Sequence, residues 1–186
     1  MRVRVLSSLL VSTALAASSL VGVTAAGAAG ADAATAASAV PAHQWSKKLR
    51  SVTRSPATAP EVTGIRVGRH ANFDRIVVDL HGAAPGYTVR YVRTLRRDPS
   101  GKVIDLLGPR SLRIVLSPAN GHDVNTGART LTTPKRTKWR FDEVRETAVI
   151  GDFEAVFSVG VGLTAKTPFR VRTLHNPTRI VVDVHH

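Results

Sequence analysis

The chain has 186 residues, no cysteine and a formal net charge of +13. That length fits one domain or two small ones. The lack of thiols excludes disulfide bracing, a lipid attached through sulfur and a cysteine nucleophile. The basic excess favours anionic partners.

Arg2 and Arg4 open the chain, and no charged residue follows from Val5 to Ala31. Leu6, Leu9, Leu10, Val11, Leu15 and Leu20 make that run apolar, and Ala26-Gly27-Ala28 and Ala31-Asp32-Ala33 offer cleavage-type spacings. A basic start, an apolar centre and an Ala-x-Ala exit predict a removable secretory signal over residues 1–33. The run is long enough to span a bilayer, but Ala, Gly, Ser and Thr dominate its second half, so cleavage is the expected outcome. No other stretch of eighteen apolar residues occurs, and no membrane span is expected after cleavage. Across residues 34–60, Ala, Ser, Thr and Pro fill 17 of 27 positions. Such a segment buries too little to offset its ordering entropy, which predicts a disordered linker. Its one large aromatic, Trp45, is expected to contact neither the domain nor a membrane.

From Val62 onwards, short β-branched runs alternate with Gly, Pro, Asn and Asp. Strands are predicted at Val62–Val67, Arg75–His81, Tyr87–Val92, Val103–Leu106, Leu112–Leu116, Glu143–Ile150, Phe153–Val159, Phe169–Leu174 and Arg179–His185. Strands at this spacing predict an all-β sandwich or a partly open barrel. The stretch Ser117–Trp139 contains Pro118, Gly121, Gly127 and Pro134 and is expected to be a long loop.

One stretch is echoed within the chain. Asp74-Arg75-Ile76-Val77-Val78-Asp79-Leu80-His81 returns as Thr178-Arg179-Ile180-Val181-Val182-Asp183-Val184-His185, and more weakly as Leu112-Arg113-Ile114-Val115-Leu116. Side chains alternate faces along a strand. Ile76, Val78 and Leu80 should therefore face the core, as should Ile180, Val182 and Val184. The echo predicts a β-sandwich of two small sheets with an approximate internal two-fold repeat, each half giving one sheet. The duplicated Asp79 and Asp183 are expected to be structural, pairing with a neighbouring arginine or capping a turn.

Thr63-Gly64-Ile65-Arg66-Val67-Gly68-Arg69-His70, Phe73 to Asp79 and Pro85-Gly86-Tyr87-Thr88-Val89-Arg90-Tyr91-Val92 resemble the AMIN-like domain of secreted actinobacterial proteins. So do Gly151-Asp152-Phe153-Glu154, Val159-Gly160-Val161-Gly162-Leu163, Pro168-Phe169-Arg170-Val171 and Asn176 to Val184. The likeness runs in order over about residues 61–186. It departs at Ala155, where glycine is expected. The family is related in name and strand pattern to the AMIN domain, a β-sandwich that localises amidases and secretin pores to the envelope. The resemblance therefore implies an exported all-β targeting module in the cell wall or outside the cell. It names no ligand.

Little in the sequence points to chemistry. His70, His81, His122, His175, His185 and His186 lack convergent spacing, so exposed strand-end histidines are expected, with no metal site and no cofactor. No Gly-x-Ser-x-Gly occurs, and the acidic residues Asp142, Glu143, Glu146, Asp152 and Glu154 read as a solvated stretch. A non-enzymatic protein is expected. Charge is the stronger signal. Residues 86–140 carry twelve basic against three acidic residues, a net charge of +9, whereas residues 141–186 carry five against six. Export and the absence of a nucleic-acid-binding motif exclude DNA and RNA as expected partners. The expected partner is an anionic wall polymer, peptidoglycan or, alternatively, another envelope protein. Candidate contacts are Arg90, Arg93, Arg96, Arg97, Lys135, Arg136 and Lys138, together with Tyr87 and Tyr91. Pointing outwards, those tyrosines would make a platform for a sugar ring; pointing inwards, the favoured orientation, they belong to the core. Phe73, Phe141, Phe153, Phe157 and Phe169 are assigned mainly to the core.

Overall fold

The structure is a computed structural model, and it describes residues 44–186. The secretory signal expected over residues 1–33, and the expected linker as far as residue 43, lie outside the described residues. Twelve strands follow in order: β1 (Arg50–Val52), β2 (Glu61–Arg69), β3 (Phe73–His81), β4 (Gly86–Val92), β5 (Leu95–Arg96), β6 (Val103–Ile104), β7 (Arg110–Ser117), β8 (Arg136–Lys138), β9 (Val144–Phe153), β10 (Val156–Leu163), β11 (Phe169–Leu174) and β12 (Arg179–His185). They form a six-stranded sheet, β1-β4-β7-β10-β9-β8, a four-stranded sheet, β11-β12-β3-β2, and a two-stranded hairpin of β5 and β6. All strand pairs are antiparallel.

Alternation sets the core. Ile76, Val78, Leu80, Ile180, Val182 and Val184 of the four-stranded sheet are buried against Val89, Leu112, Ile114, Leu116, Val159 and Val161 of the six-stranded sheet, with Phe157 and Phe169 fully enclosed. Each large apolar side chain so enclosed contributes roughly 1.5–3 kcal/mol. Phe153 departs from its expected place. It ends β9 at a tight turn and is 48% exposed, because the turn carries its side chain away from the core.

The echoed strands do not divide between the sheets. β3 and β12 lie side by side in the four-stranded sheet, with Val77 opposite Val181, Arg75 opposite Asp183 and Asp79 opposite Arg179. Two antiparallel copies of one sequence present the same apolar face when paired about a local two-fold, so one sheet accommodates both.

Edge pairing orders the residues expected to be a linker. Ser46 exchanges backbone hydrogen bonds with Phe169 at the edge of the four-stranded sheet. Four residues later, β1 pairs with β4 at the edge of the six-stranded sheet. The segment thus occupies an edge of both sheets, where unpaired N–H and C=O groups would otherwise remain. Trp45 contacts the domain after all: its ring lies 5.2 Å from His185 and 6.0 Å from Phe73, with the Arg170 guanidinium 4.4 Å above it. On the other side, the stretch 117–139 covers the start of β2. Val62 N donates to Asn120 O, Thr132 N to Thr63 O, and Ile65 N to Thr133 Oγ1. That loop also contains the short strand β8.

Asp183 and Asp79 both pair with arginine. Asp183 is fully buried and accepts from Arg75, Arg170 and Arg172 at 2.6, 2.9 and 3.1 Å. Asp79 is partly exposed and accepts from Arg66 at 2.6 Å. Burial opposes ionisation of Asp183, but the Arg75 and Arg170 hydrogen bonds and the Arg75 and Arg172 charges outweigh it and hold the carboxyl below its usual range.

Candidate functional site

Between β4 and β7 the chain leaves the six-stranded sheet and folds back over its outer face as a flap, residues 93–109, built on the β5–β6 hairpin. Leu95, Ile104 and Leu106 of the flap, with Val92, pack on Ala148 and Ile150 of β9 and form a second, smaller core. Two glycines of β10 permit the approach. A Cβ at Gly162 would lie 2.2 Å from the Leu107 carbonyl oxygen, and one at Gly160 would lie 2.9 Å from Leu95 Cδ1. No side chain fits beneath a flap this close.

Polar contacts pin the flap at both ends. The Asp98 carboxylate accepts from Arg113 and from Ser158 Oγ, the latter at 3.1 Å. Glu146, 1% exposed in its side chain, accepts from Arg136 Nε at 2.7 Å and from Leu107 N at 2.8 Å. The Arg136 hydrogen bond holds the Glu146 carboxyl below its usual range against the opposing effect of burial. Arg136 also donates to Asp105 O at 2.8 Å. This arginine therefore helps to hold the flap, while its side chain stays 54% exposed.

The flap turns its basic side chains outwards. Arg93, Arg96, Arg97 and Lys102 are exposed, and Arg90 is exposed beside them on β4. Arg96 donates to Gly101 O at 3.0 Å. Among the described residues, none of these five pairs with a carboxylate. At the foot of the flap lies a cleft of about 530 Å³, lined by Tyr91, Val92, Arg93, Pro109, Arg110 and Lys166. Its three cations come from separate places: Arg93 follows β4, Arg110 begins β7, and Lys166 lies in the loop from β10 to β11. Among the described residues no carboxylate lines it. Arginine presents a planar fork to carboxylate or phosphate oxygens, and lysine adds a point charge.

Tyr91 forms the cleft's inner wall. Its hydroxyl donates to Thr167 O at 2.7 Å, its ring packs edge-on to Phe169, and Lys166 Nζ lies 5.5 Å above it. Burial pushes the phenol above its ordinary range, so it stays a neutral donor. Tyr87 is 4% exposed and belongs to the core. The two tyrosines therefore form no outward platform: residues 87, 89 and 91 share the face of β4 that packs on the other sheet.

The remaining predicted contacts lie elsewhere. Arg136 and Lys138 are on β8, at the opposite side of the sheet from β4, with β7, β10 and β9 between them. Four strand spacings put β8 about 19 Å from β4 along the sheet, and the flap, held by Arg136 at Asp105 O, reaches across the strands between them. Lys135 lines a different cavity of about 250 Å³ with His122, Arg129 and Asp152. Arg110 and Lys166 line the cleft but are not among the candidate contacts read from the sequence; Arg110 counts only within the basic 86–140 stretch, and Lys166 is hidden by averaging over the acidic last third. The acidic residues 142–154 do not converge. Asp142 pairs with Arg69, Glu143 accepts from Thr164, Glu146 holds Arg136, and Asp152 pairs with His122.

Among the described residues no helix is long and apolar enough to cross a membrane. A family model, the AMIN-like domain, matches residues 60–186. No curated protein matches the chain, and no solved structure does.

Proposed function

Because the chain belongs to the AMIN-like domain family, which points to a cell-envelope-associated module, we propose that it is a non-catalytic binding protein for an anionic wall component, peptidoglycan or an acidic polymer attached to it. The observation that carries this reading is the cleft lined by Arg93, Arg110 and Lys166, with no carboxylate among the described residues that line it; Arg90 on β4 and Arg96 and Arg97 on the flap are exposed and add to the positive charge. A net positive field at an open cleft concentrates anions and speeds encounter. A polymer with charges at regular intervals would engage the cleft with one charge and the flap arginines with the next. Export fits the same reading, since the ligand lies outside the cell.

Exposed charges are screened over about 8–10 Å at physiological ionic strength, so affinity should fall as salt rises. The test is co-sedimentation of the purified protein with isolated cell walls, before and after removal of their acidic polymers, across a salt series. Salt-sensitive binding that disappears with the polymers is the expected result. Binding that is equally strong in high salt would overturn the electrostatic mechanism. No binding in any condition would favour docking on another envelope protein.

A further inference from the structure

The most unusual polar cluster lies at the opposite end of β3 from the Gly82 turn and is independent of the basic cleft. Asp74, at the start of β3, is fully buried. Its Oδ2 accepts from Glu143 N at 2.7 Å and from Val144 N at 2.9 Å, which fixes the carboxylate plane. Its Oδ1 is buried and has no hydrogen-bond partner among the described residues. Facing it is His186, whose Nε2 is also buried and unpartnered. This histidine is 18% exposed in its side chain, unlike the exposed strand-end histidine expected from sequence. Asp142 closes the third side.

His186 Nε2 lies 3.9 Å from Asp74 Oδ1 and 3.6 Å from Asp142 Oδ2. Both gaps are too long for a hydrogen bond. Two ligands bound tetrahedrally at about 2.0–2.2 Å from a shared ion stand roughly 3.3–3.6 Å apart. The three ligand atoms lie within 4.8 Å of one another. A buried carboxylate oxygen with no partner is costly, and a cation between the three groups would satisfy it and the imidazole nitrogen together.

We infer that Asp74, Asp142 and His186 form a binding site for a divalent transition-metal ion. The ligand atoms are Asp74 Oδ1, Asp142 Oδ2 and a neutral His186 Nε2. One imidazole and two carboxylates suit zinc, cobalt or manganese better than a soft monovalent ion. The backbone bonds to Asp74 Oδ2 act as outer supports that aim Oδ1 at the ion. Arg69 is the competing group: its Nε lies 2.8 Å from Asp142 Oδ2 and its Nη2 lies 3.1 Å from Oδ1. Its side chain is 61% exposed, so it is free to keep Oδ1 while Oδ2 turns to the metal. Bound there, the ion would tie β3, the residues before β9 and the end of β12 together.

Titration calorimetry of the purified chain with zinc chloride tests this, with cobalt chloride followed by its visible absorption. The expected result is one ion per chain and a cobalt d–d band. His186→Gln and Asp142→Asn should each weaken binding at least about tenfold, while His185→Ala, a change on the opposite face of β12, should leave it unchanged. Both ligand substitutions fall on partly exposed side chains, so circular dichroism should report a retained fold. Failure of both ions to bind would overturn the assignment. So would wild-type affinity in His186→Gln and Asp142→Asn, or loss on His185→Ala alone.

Discussion

The echoed aspartates provide an internally controlled test of what burial does to an ion pair. Asp183 and Asp79 occupy equivalent positions of one repeated strand sequence, so Asp→Asn is the same chemical change at both. Asp183 is fully buried beneath Arg75, Arg170 and Arg172, whose side chains are only 22–32% exposed. Removing its charge leaves three guanidinium groups crowded without a counter-ion. Breaking a buried ion pair in this way costs about 3–5 kcal/mol. Asp79 is partly exposed and its partner Arg66 mostly so, which places the pair among surface bridges worth about 0–1 kcal/mol. With a urea slope near 2 kcal/mol per molar, Asp183→Asn should lower the unfolding midpoint by roughly 1.5–2.5 M, and Asp79→Asn by less than about 0.5 M.

The pH dependence follows from the same geometry. The Asp183 carboxyl is held below its usual range in the folded state. Its stabilising contribution is therefore fully present above the unfolded carboxyl range, near pH 4, and fades as pH falls through the lower folded value. The gap between wild type and Asp183→Asn should narrow only below about pH 4. Equal midpoint losses at the two sites, or a gap that closes near neutral pH, would refute this reasoning.

Three other substitutions probe the flap, a turn and the amino-terminal segment. Gly162→Ala forces a methyl group against the Leu107 carbonyl and should destabilise by about 1–3 kcal/mol, with faster proteolysis of residues 93–109. Ala155 holds a positive φ of 55°, and Glu154 before it one of 51°; Ala155→Gly should stabilise by about 0.5–1 kcal/mol, the left-handed strain outweighing the entropy cost of glycine, as a thermal melt would show. Trp45→Ala removes the contacts with Phe73, His185 and Arg170. It should cost about 1–2 kcal/mol, and hydrogen exchange should quicken at Ser46 and Arg50 if the segment is released.

The interior was legible because it follows period-two alternation. The two echoed runs announced buried faces without any knowledge of pairing. The misreadings share one physical cause: they concern contacts between residues distant in sequence. The segment around β1 reads as a linker because its own side chains bury little; its order comes from backbone bonds to two sheet edges. Gly160 and Gly162 look like the end of a strand, yet β10 runs through both, and their missing side chains make room for a flap fifty residues earlier. In the charge pattern, Arg113 and Arg136 both count towards the net charge of residues 86–140. Their neutralising partners Asp98 and Glu146 become visible only once the flap is folded. Lys166 is the converse case, a cation within an acidic window that pairs with no carboxylate among the described residues.

The central claim is that the foot of the flap, and not net charge alone, recognises an anionic wall component. The most direct measurement compares two variants with equal charge loss in the wall-binding assay. One carries Arg93→Gln, Arg110→Gln and Lys166→Gln, in the cleft; the other carries Lys135→Gln, Lys138→Gln and Arg140→Gln, on and around β8. Loss of at least about tenfold in affinity for the cleft variant, with the β8 variant near wild type, is the predicted result. Equal weakening of both would contradict the claim and reduce the interaction to a diffuse effect of the protein's charge.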